Sequence, residues 1–587
     1  MNPLNIMREL LKMFDVGHAH DADRARVALE AMEILADPNI LSHQVFQPAA
    51  AHLLAILKGG APHADAIKAG AAKPIQEWGE RLKGQRSLID AFGRELDQAL
   101  KVHYVPKCIE WLTTRLRKAD EGAPLSQIQS ELAAIESVTD MLLSALINRG
   151  WSFESLFTLY RGMLLPVLEA DKASAHPLYS FQNSLASVFA RLTAPGKPYL
   201  ITFAVSNVTK PTDFPRQVGD IAFSMDPPPL LPNANTKVQG YLRARGNRLF
   251  ATVEVHAEDG RIAGAIASDK ISQVLDIIRY DYERKNVQLA DRFLVQKPDK
   301  QMLMPLPGTI PNPTSSLTPA QLQNFMDRLR ELVAAGALRE HATDRIFSAF
   351  RLYRIGDDLS SQENKLVNWW TALEFLVKGN GGTGGNIGDG VENSLAPTIT
   401  LSYLPKHLAA LRSVLVDLQI QLTGADGNQL ELGKMTLVEF YELLQDQAQR
   451  TSIETACTAR PYVWHRARKF LATVSDPKKL GEALTNHERR LRWHVQRIYR
   501  ARCDIVHSAN RIIDATLLCA NLQFYLKTIL SAFLEALHLH PTLRSPQEFF
   551  DRQKHGLGSV ASELGAGHAG TLKLLLARKD QIAAATA

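Results

Sequence analysis

Apolar residues recur three and four positions apart over much of the chain, which is the spacing of an amphipathic helix. Residues 1–190 follow this pattern, and we expect a helical N-terminal region there. The clearest stretch covers residues 128–148 and is followed by Arg149 and Gly150, a pair typical of a helix end.

The pattern changes near residue 195, where short runs of β-branched and aromatic residues begin. Three such runs, at 199–208, 247–257 and 287–295, predict strands, and the helical spacing of 267–283 predicts a helix between the last two. These elements predict a small α/β domain over residues 195–300.

Helical spacing returns after a proline-rich segment and continues to about residue 540. The prolines predict a linker over residues 301–319, and the helical pattern predicts a domain over 320–545. Residues 546–587 are polar and rich in Gly and Ala, and we expect a tail with one weak helix. The predicted fold class is therefore mainly α and multidomain.

Composition agrees with a soluble multidomain protein. The chain has 587 residues, too many for one core, with 45% hydrophobic and 22% charged residues. Its four cysteines form no CxxC pair, so neither a disulfide framework nor a zinc site is indicated. No uncharged apolar run reaches the roughly 18–20 residues of a membrane span. We expect a cytoplasmic protein without a membrane segment, a metal or a cofactor.

Positive charge is concentrated in one part of the chain. The net charge is only +6, but residues 450–502, the basic run, hold thirteen Lys or Arg against four Asp or Glu. Such a surface attracts polyanions such as RNA, although a solvated helix face has the same composition. The candidate RNA-binding residues in this run are Arg489, Arg492, Arg497 and Arg500.

Two further patterns are better explained without a ligand. Gly379, Gly381 and Gly384 fit a GxGxxG motif, but a predicted helix precedes them where a dinucleotide site needs a strand, so we expect a flexible loop. The His and Asp residues at 18–23 resemble a metal cluster in composition, but helix capping by aspartate explains them more simply.

An arginine followed five positions later by a histidine occurs three times, as Arg460 and His465, Arg489 and His494, and Arg502 and His507. From spacing alone, a surface arginine and a helix-terminal histidine are the simpler explanation. Arg489 and Arg502 lie thirteen positions apart on one predicted helix, about 140° apart around its axis, so they face different sides. Arg502 and His507 have the best surroundings, because the final long amphipathic helix follows them.

Two segments resemble a known family. IYRARCDIVHSA at 498–509 resembles the signature of HEPN domains, in particular the Apea-like HEPN group, in which an Arg-x4-6-His motif precedes the final helix. VNWWTALEFLVKG at 367–379 resembles the helix that begins the same domain. The resemblance covers about 320–540, roughly 40% of the chain.

The resemblance implies a helical bundle that pairs with a second copy and cleaves RNA. Arg502 would hold the phosphate and His507 would act as acid or base, without a metal, to leave a 2′,3′-cyclic phosphate. It also implies a role in anti-phage defence or as a toxin. Tyr499, Cys503 and Asp504 are auxiliary candidates, and Cys503 departs from the polar residue usual in the family at that position.

Two alternatives remain open at the level of the sequence. The HEPN-like domain would be catalytically silent and serve as a nucleotide-binding or dimerisation scaffold, or the chain would be a helical interaction protein without a nucleic-acid role. Under the ribonuclease hypothesis, residues 1–300 would bind a trigger ligand or a phage component and restrain the helical domain.

Overall fold

A computed structural model describes residues 104–119, 125–164, 166, 181–208, 210–244, 248–280, 286–297, 299–306, 319–334, 342–359, 361–377, 387–424, 427–458, 460–508, 515–540 and 542–586. These residues are mainly helical, with a small antiparallel sheet in the middle region, which confirms the mainly α fold class. The helices predicted before residue 104, the glycine motif and most of the predicted linker lie outside the described residues.

The chain divides into two compact units, the first of residues 1–121 and 134–308 and the second of residues 122–133 and 309–587. The elements described up to residue 308 are α1 (Val105–Ala119), α2 (Leu125–Arg149), α3 (Phe153–Leu159), α4 (Phe181–Thr193), β1 (Lys197–Ser206), β2 (Gln217–Val218), β3 (Ile221–Ser224), α5 (Thr236–Arg243), β4 (Leu249–Ala257), α6 (Gly260–Arg279), β5 (Gln288–Lys297) and β6 (Lys300–Pro305).

The sheet of the first unit has the strand order β2-β3-β4-β1-β5-β6, and every neighbouring pair is antiparallel. In the central strand β1, Ile201 is paired with Val253 on one side and with Val295 on the other. The three strands predicted from sequence are present. Three further strands, β2, β3 and β6, were not predicted from the sequence. The predicted linker over residues 301–319 is corrected at its start, where β6 lies. Pro305 is tolerated there because β6 is an edge strand.

Side chains alternate between the two faces of β1, so each face meets a different helix. Phe203 packs in the core formed with α6, whereas Ala204 packs in a smaller core formed with α5. Helix α6 approaches the sheet closely at Gly264, where a Cβ atom would lie 2.0 Å from the ring of Phe293. Any larger residue there would push the helix away from the sheet.

The second unit is helical. Its described elements after residue 308 are α7 (Pro319–Ala334), α8 (Ala342–Asp358), α9 (Gln362–Val377), α10 (Ile387–Leu401), α11 (Tyr403–Asp417), α12 (Leu437–Leu443), α13 (Gln447–Cys457), α14 (Pro461–Val474), α15 (Pro477–Ser508), α16 (Ala515–Leu539), α17 (Pro546–Gly565) and α18 (Gly570–Thr586).

The 32-residue helix α15 runs along two hydrophobic cores of this unit. Leu480 and Leu484 belong to one core, and Leu491, Val495 and Ile498 belong to the other. These positions lie three, four and seven residues apart, which places them along one stripe of the helix. The stripe leaves most basic residues of α15 on the remaining faces, and it packs the helix as far as Ala501, the residue before Arg502.

The prediction of a polar tail at 546–587 is corrected, because helices α17 and α18 occupy this segment. Phe549 and Phe550 are buried in one core of the second unit, and Leu564 is buried in the other. Ser545 caps the start of α17 by accepting a hydrogen bond from the backbone N–H of Glu548. The exposed polar and glycine residues between these anchors masked the helical spacing.

Within the described part of the chain, the stretch Thr516–Leu537 of α16 is long and apolar enough to cross a membrane. Several of its residues, including Leu522, Ile529 and Phe533, are buried in the core that also contains Trp369 and Trp370. The central helix of a folded bundle passes the same test of length and composition, so this finding is weak support for a membrane span.

Candidate active site

Helices α9 and α15 bring together the two sequence segments that resemble HEPN motifs. The indole N–H of Trp370 donates a hydrogen bond to Oε1 of Glu374 at 2.6 Å. The Nη2 atom of Arg502 lies 3.6 Å from the same oxygen, and the rings of Trp370 and Tyr499 are 5.6 Å apart. Two segments separated by more than a hundred residues therefore form one cluster.

This cluster is possible because α10 comes close to α15 at a glycine. A Cβ atom at Gly388 would lie 2.7 Å from Cδ1 of Tyr499, which is far inside van der Waals contact. Glycine therefore allows Tyr499 to lie flat between α10 and Trp370. In α9 the neighbouring Trp369 is fully buried, so the helix cannot rotate to move Glu374 away from Arg502.

Arg502 is partly buried, and only some of its guanidinium N–H groups have a partner. Its side chain is 22% exposed, and its Nε atom is buried without a hydrogen-bond partner among the described residues. The 3.6 Å approach to Glu374 is an ion pair that is longer than a hydrogen bond. A guanidinium has five N–H donors in a planar fork, so donors remain for an oxyanion such as a phosphate.

His507 lies in the last turn of α15 and is exposed. Five residues along a helix correspond to about 140° of rotation and about 7.5 Å of rise, so Arg502 and His507 point in different directions. Packing leaves this helix end partly open, since Val506 is 48% exposed and Ile505 packs only partly against the core. One copy of the chain does not place both side chains around one phosphate.

The auxiliary candidates differ in their surroundings. Tyr499 is held between Gly388 and Trp370, so its role in the cluster is packing. Cys503 and Asp504 are half-buried on the turn that separates Arg502 from the helix end. Their positions fit a site near this turn and assign neither of them a proton-transfer role.

The four candidate RNA-binding arginines of α15 differ in burial and in pairing. Arg497 is buried, with 5% exposure, so it is not on the surface. Arg492 forms ion pairs with Glu488 at 2.6 Å and with Glu392 at 3.2 Å, which neutralise much of its charge. Arg489 is exposed and stacks over the ring of Trp493.

The remaining member of that set, Arg500, is half-buried, and its Nε atom is inaccessible to solvent. Arg489 is therefore the one exposed residue of the four. Other basic residues of α15 are exposed as well, namely Lys478, Lys479 and Arg490, so the positive surface of this helix differs from the set predicted to bind RNA.

Burial also separates the three Arg–His pairs. His494 is buried, and its Nδ1 atom lies 2.9 Å from the hydroxyl of Tyr525. Burial, helped by the positive charge of Arg497, lowers the pKa of His494 to about 3. His465 is also buried, with 4% exposure. His507 is the only one of these three histidines that solvent or a substrate can reach.

Sequence reasoning missed the contact between Arg502 and Glu374, although both residues lie in the segments that it singled out. No local spacing relates the two residues, because the contact depends on how α9 packs against α15. The sequence offered one indication of this contact, namely that two tryptophans, Trp369 and Trp370, share a helix with the carboxylate of Glu374.

Comparison of the chain with protein-family models, with curated proteins and with solved structures finds no match. Among the residues that the structure describes, no group of three or more His, Cys, Asp or Glu side chains is arranged to hold a metal ion. The geometry around Arg502 and His507 therefore has to support a function by itself.

Proposed function

We propose that this protein is a HEPN-type RNA endonuclease that works as a homodimer. The observation that supports the proposal is the cluster of Arg502, Glu374 and Trp370, which joins the two HEPN-like segments next to an exposed histidine. RNA is the substrate, since the reaction uses a 2′-hydroxyl that DNA lacks. A setting in anti-phage defence or toxicity belongs to the same proposal and comes from the resemblance alone.

The chemistry needs a cation for the phosphate and a group that transfers protons. Histidine is the side chain best suited to accept and donate protons around neutral pH, so it can serve as base or acid here. As base it removes the proton of the 2′-hydroxyl, whose oxygen then attacks the adjacent phosphorus. The P–O5′ bond breaks, O5′ takes up a proton, and a 2′,3′-cyclic phosphate remains. No metal is required for these steps.

A second copy of the chain supplies what one copy lacks. Arg502 and His507 of one chain point about 140° apart, so an arginine of one protomer and a histidine of the other are better placed to share a phosphate. Two guanidinium groups also stabilise the additional negative charge of the pentavalent transition state better than one. The exposed Val506 beside His507 supports an interface at this helix end.

A catalytically silent HEPN scaffold is the second candidate. Two observations favour it: Glu374 already pairs with Arg502, and Cys503 stands where the family usually has a polar residue. A scaffold of this kind would bind a nucleotide or RNA, or dimerise, without cleaving. Binding of RNA by the purified chain without any cleavage product would favour this candidate.

Alanine substitutions test the proposed site. Arg502→Ala and His507→Ala should each slow RNA cleavage by about a hundredfold or more, because loss of one group that contacts the transition state costs a few kcal/mol of barrier. Cleavage is measured as release of 2′,3′-cyclic phosphate from a labelled RNA. The rate should be unchanged by a chelator, and Arg489→Ala should weaken RNA binding only modestly.

Matched controls come from exposed residues of the same type. Arg460→Ala removes the arginine of another Arg–His pair, and His555→Ala removes an exposed histidine of α17, so both should leave cleavage intact. If Arg460→Ala were as damaging as Arg502→Ala, or if activity required added magnesium, the proposed site would be wrong.

A further inference from the structure

A cavity of about 850 Å³ lies within the first unit. It is lined by α3 and the turn after it, by strands β1, β5 and β6, and by the start of α6. Its apolar lining includes Leu159, Met302 and Met304, and Trp151 and Tyr199 also line the cavity. Cavities of this size hold ligands as large as a nucleotide.

Five basic residues line the cavity, namely Arg191, Lys197, Arg261, Lys297 and Lys300. None of the five forms an ion pair with a carboxylate among the residues that the structure describes. The cavity lining therefore has more basic than acidic side chains, five against two. A cleft lined by one sign of charge raises the local concentration of ions of the opposite sign.

The two carboxylates that line the cavity are already engaged. Glu258 forms an ion pair with Arg149 at 3.0 Å. Asp259 caps α6 by accepting the backbone N–H groups of Arg261 and Ile262, and it also accepts the N–H of Ser152 at 2.6 Å. These contacts hold both carboxylates in place and leave the lining with an excess of basic side chains.

Lys297 shows the effect of this charge density. Partial burial lowers its pKa first, and the positive charges of Arg191, Lys197 and Lys300 lower it further. Its ammonium group lies 5.5 Å from the centre of the Tyr199 ring. An anion placed among these side chains would relieve their mutual repulsion.

Trp151 provides an independent indication of a ligand. It is 4% exposed, and its indole N–H is buried without a hydrogen-bond partner among the described residues. Buried indole N–H groups usually find a partner, because leaving one unsatisfied costs free energy. Trp151 lines the same cavity as the five basic residues.

We propose that this cavity binds a nucleoside polyphosphate. Its phosphate groups would lie among the lysines and arginines, whose N–H donors form charge-assisted hydrogen bonds with phosphate oxygens. Its base would lie against the wall of Leu159, Met302 and Met304. The site is separate from Arg502 and His507, and its existence does not depend on the proposed ribonuclease activity.

Calorimetric titration of the full chain tests the proposal with four separate probes, ATP, GTP, CTP and UTP. At least one should bind with a dissociation constant below about 1 mM, and binding should weaken as salt is added. Inorganic triphosphate, which has the charge but no base, should bind at least about tenfold more weakly.

Charge reversal identifies the residues. Lys197→Glu and Lys300→Glu, both at exposed positions, should each weaken nucleotide binding by about tenfold or more. The matched control is Lys237→Glu, the same change at an exposed position of α5 outside the cavity, which should leave the affinity within about twofold. Thermal unfolding of each variant verifies that it is folded.

Three results would overturn the proposal. The first is an absence of binding of all four nucleotides at about 1 mM. The second is equal binding by the wild type and by folded Lys197→Glu and Lys300→Glu variants. The third is inorganic triphosphate binding as tightly as the nucleotides, which would remove the role of the apolar wall. None of these measurements uses RNA cleavage, so failure here is distinguishable from failure of the proposed function.

Discussion

At the residue scale, burial decides what the arginines and histidines of α15 can do. Arg497 and His494 are buried on the helix, whereas Arg489 and His507 on the same helix are exposed. Arg502 is partly exposed, and one of its terminal nitrogens forms an ion pair with Glu374. Residue types that look equivalent in sequence therefore divide into structural and candidate catalytic groups.

The contact between Gly388 and Tyr499 gives a stability prediction. Gly388→Ala should lower the free energy of unfolding by about 1–3 kcal/mol, because its Cβ would lie 2.7 Å from the Tyr499 ring and force it off Trp370. Urea unfolding measures the change. The control Gly558→Ala, in α17 with no atom within 4 Å of its added Cβ, should be stabilising by up to about 1 kcal/mol. Equal effects of the two changes would contradict the proposed packing.

Buried histidines predict loss of stability in acid. Burial lowers the pKa of His494 to about 3 and that of His487 to about 4, both below the unfolded value near 6.5. The folded state therefore binds fewer protons, and this contribution to stability is complete above pH 6.5 and is lost as the pH falls. Each such histidine adds a slope of up to about 1.4 kcal/mol per pH unit.

His487→Phe tests the sign of this effect, since the ring remains against Tyr403 but cannot bind a proton. The free energy of unfolding, measured by urea between pH 7 and pH 4, should fall less steeply in this variant than in the wild type. The exposed control His555→Phe should keep the wild-type slope. A His487→Phe slope as steep as that of the wild type would show that this histidine titrates normally.

At the element scale, α15 joins the two cores of the second unit and ends at the candidate site. Its apolar stripe fixes the helix along most of its length, whereas its last turn has little packing beyond Ile505. The turn with Val506 and His507 is therefore available to contact a second molecule. A two-fold axis near this turn would give an isologous interface in which α15 meets its own copy.

We expect Val506→Asp to dissociate the dimer and abolish RNA cleavage, because it places a charge in the middle of the proposed interface. Analytical ultracentrifugation gives the mass, and thermal unfolding verifies the fold. Leu574→Asp makes the same change at a residue of α18 that is 63% exposed, and it should leave both dimer and activity intact. An active wild type that is strictly monomeric at micromolar concentration would rule out the composite site.

At the scale of the whole molecule, about half of the chain lies outside the unit that contains the candidate active site. An unspecific ribonuclease harms its host unless it is restrained, so we propose that residues 1–300 sense a trigger and hold the second unit inactive. The proposal requires two states whose balance a ligand shifts. This proposal is independent of the proposed nucleotide site, which is tested by binding measurements alone.

The restraint predicts a difference between the full chain and residues 309–587, which contain the second unit apart from residues 122–133. Residues 309–587 expressed alone should cleave RNA faster and be more toxic than the full chain, and His507→Ala should abolish both effects. The fragment must extend to residue 587, because Phe549, Phe550 and Leu564 complete its two cores. A folded, dimeric fragment no more active than the full chain would contradict restraint.

Local patterns predicted the elements with strong periodicity. Strands β1, β4 and β5 and helix α15 were predicted because their side chains alternate or repeat along the backbone itself. Strands β2 and β3 have only two and four residues, and β6 is an edge strand that contains a proline, so side-chain alternation gave little signal for them. Helix α17 was missed although its buried residues Phe549, Leu557, Val560 and Leu564 stand at helical spacing, because glycine, serine and charged residues lie between them.

At the candidate site, the order of residues along the chain already places Arg502, Cys503 and His507 near one another on one helix. The contact of Glu374 with Arg502 and the burial of His494 arise from the packing of distant helices. Helical spacing is a property of neighbouring residues, so it can be read along the chain. Burial and charge pairing depend on which distant helices pack together, and that contact has no local signature.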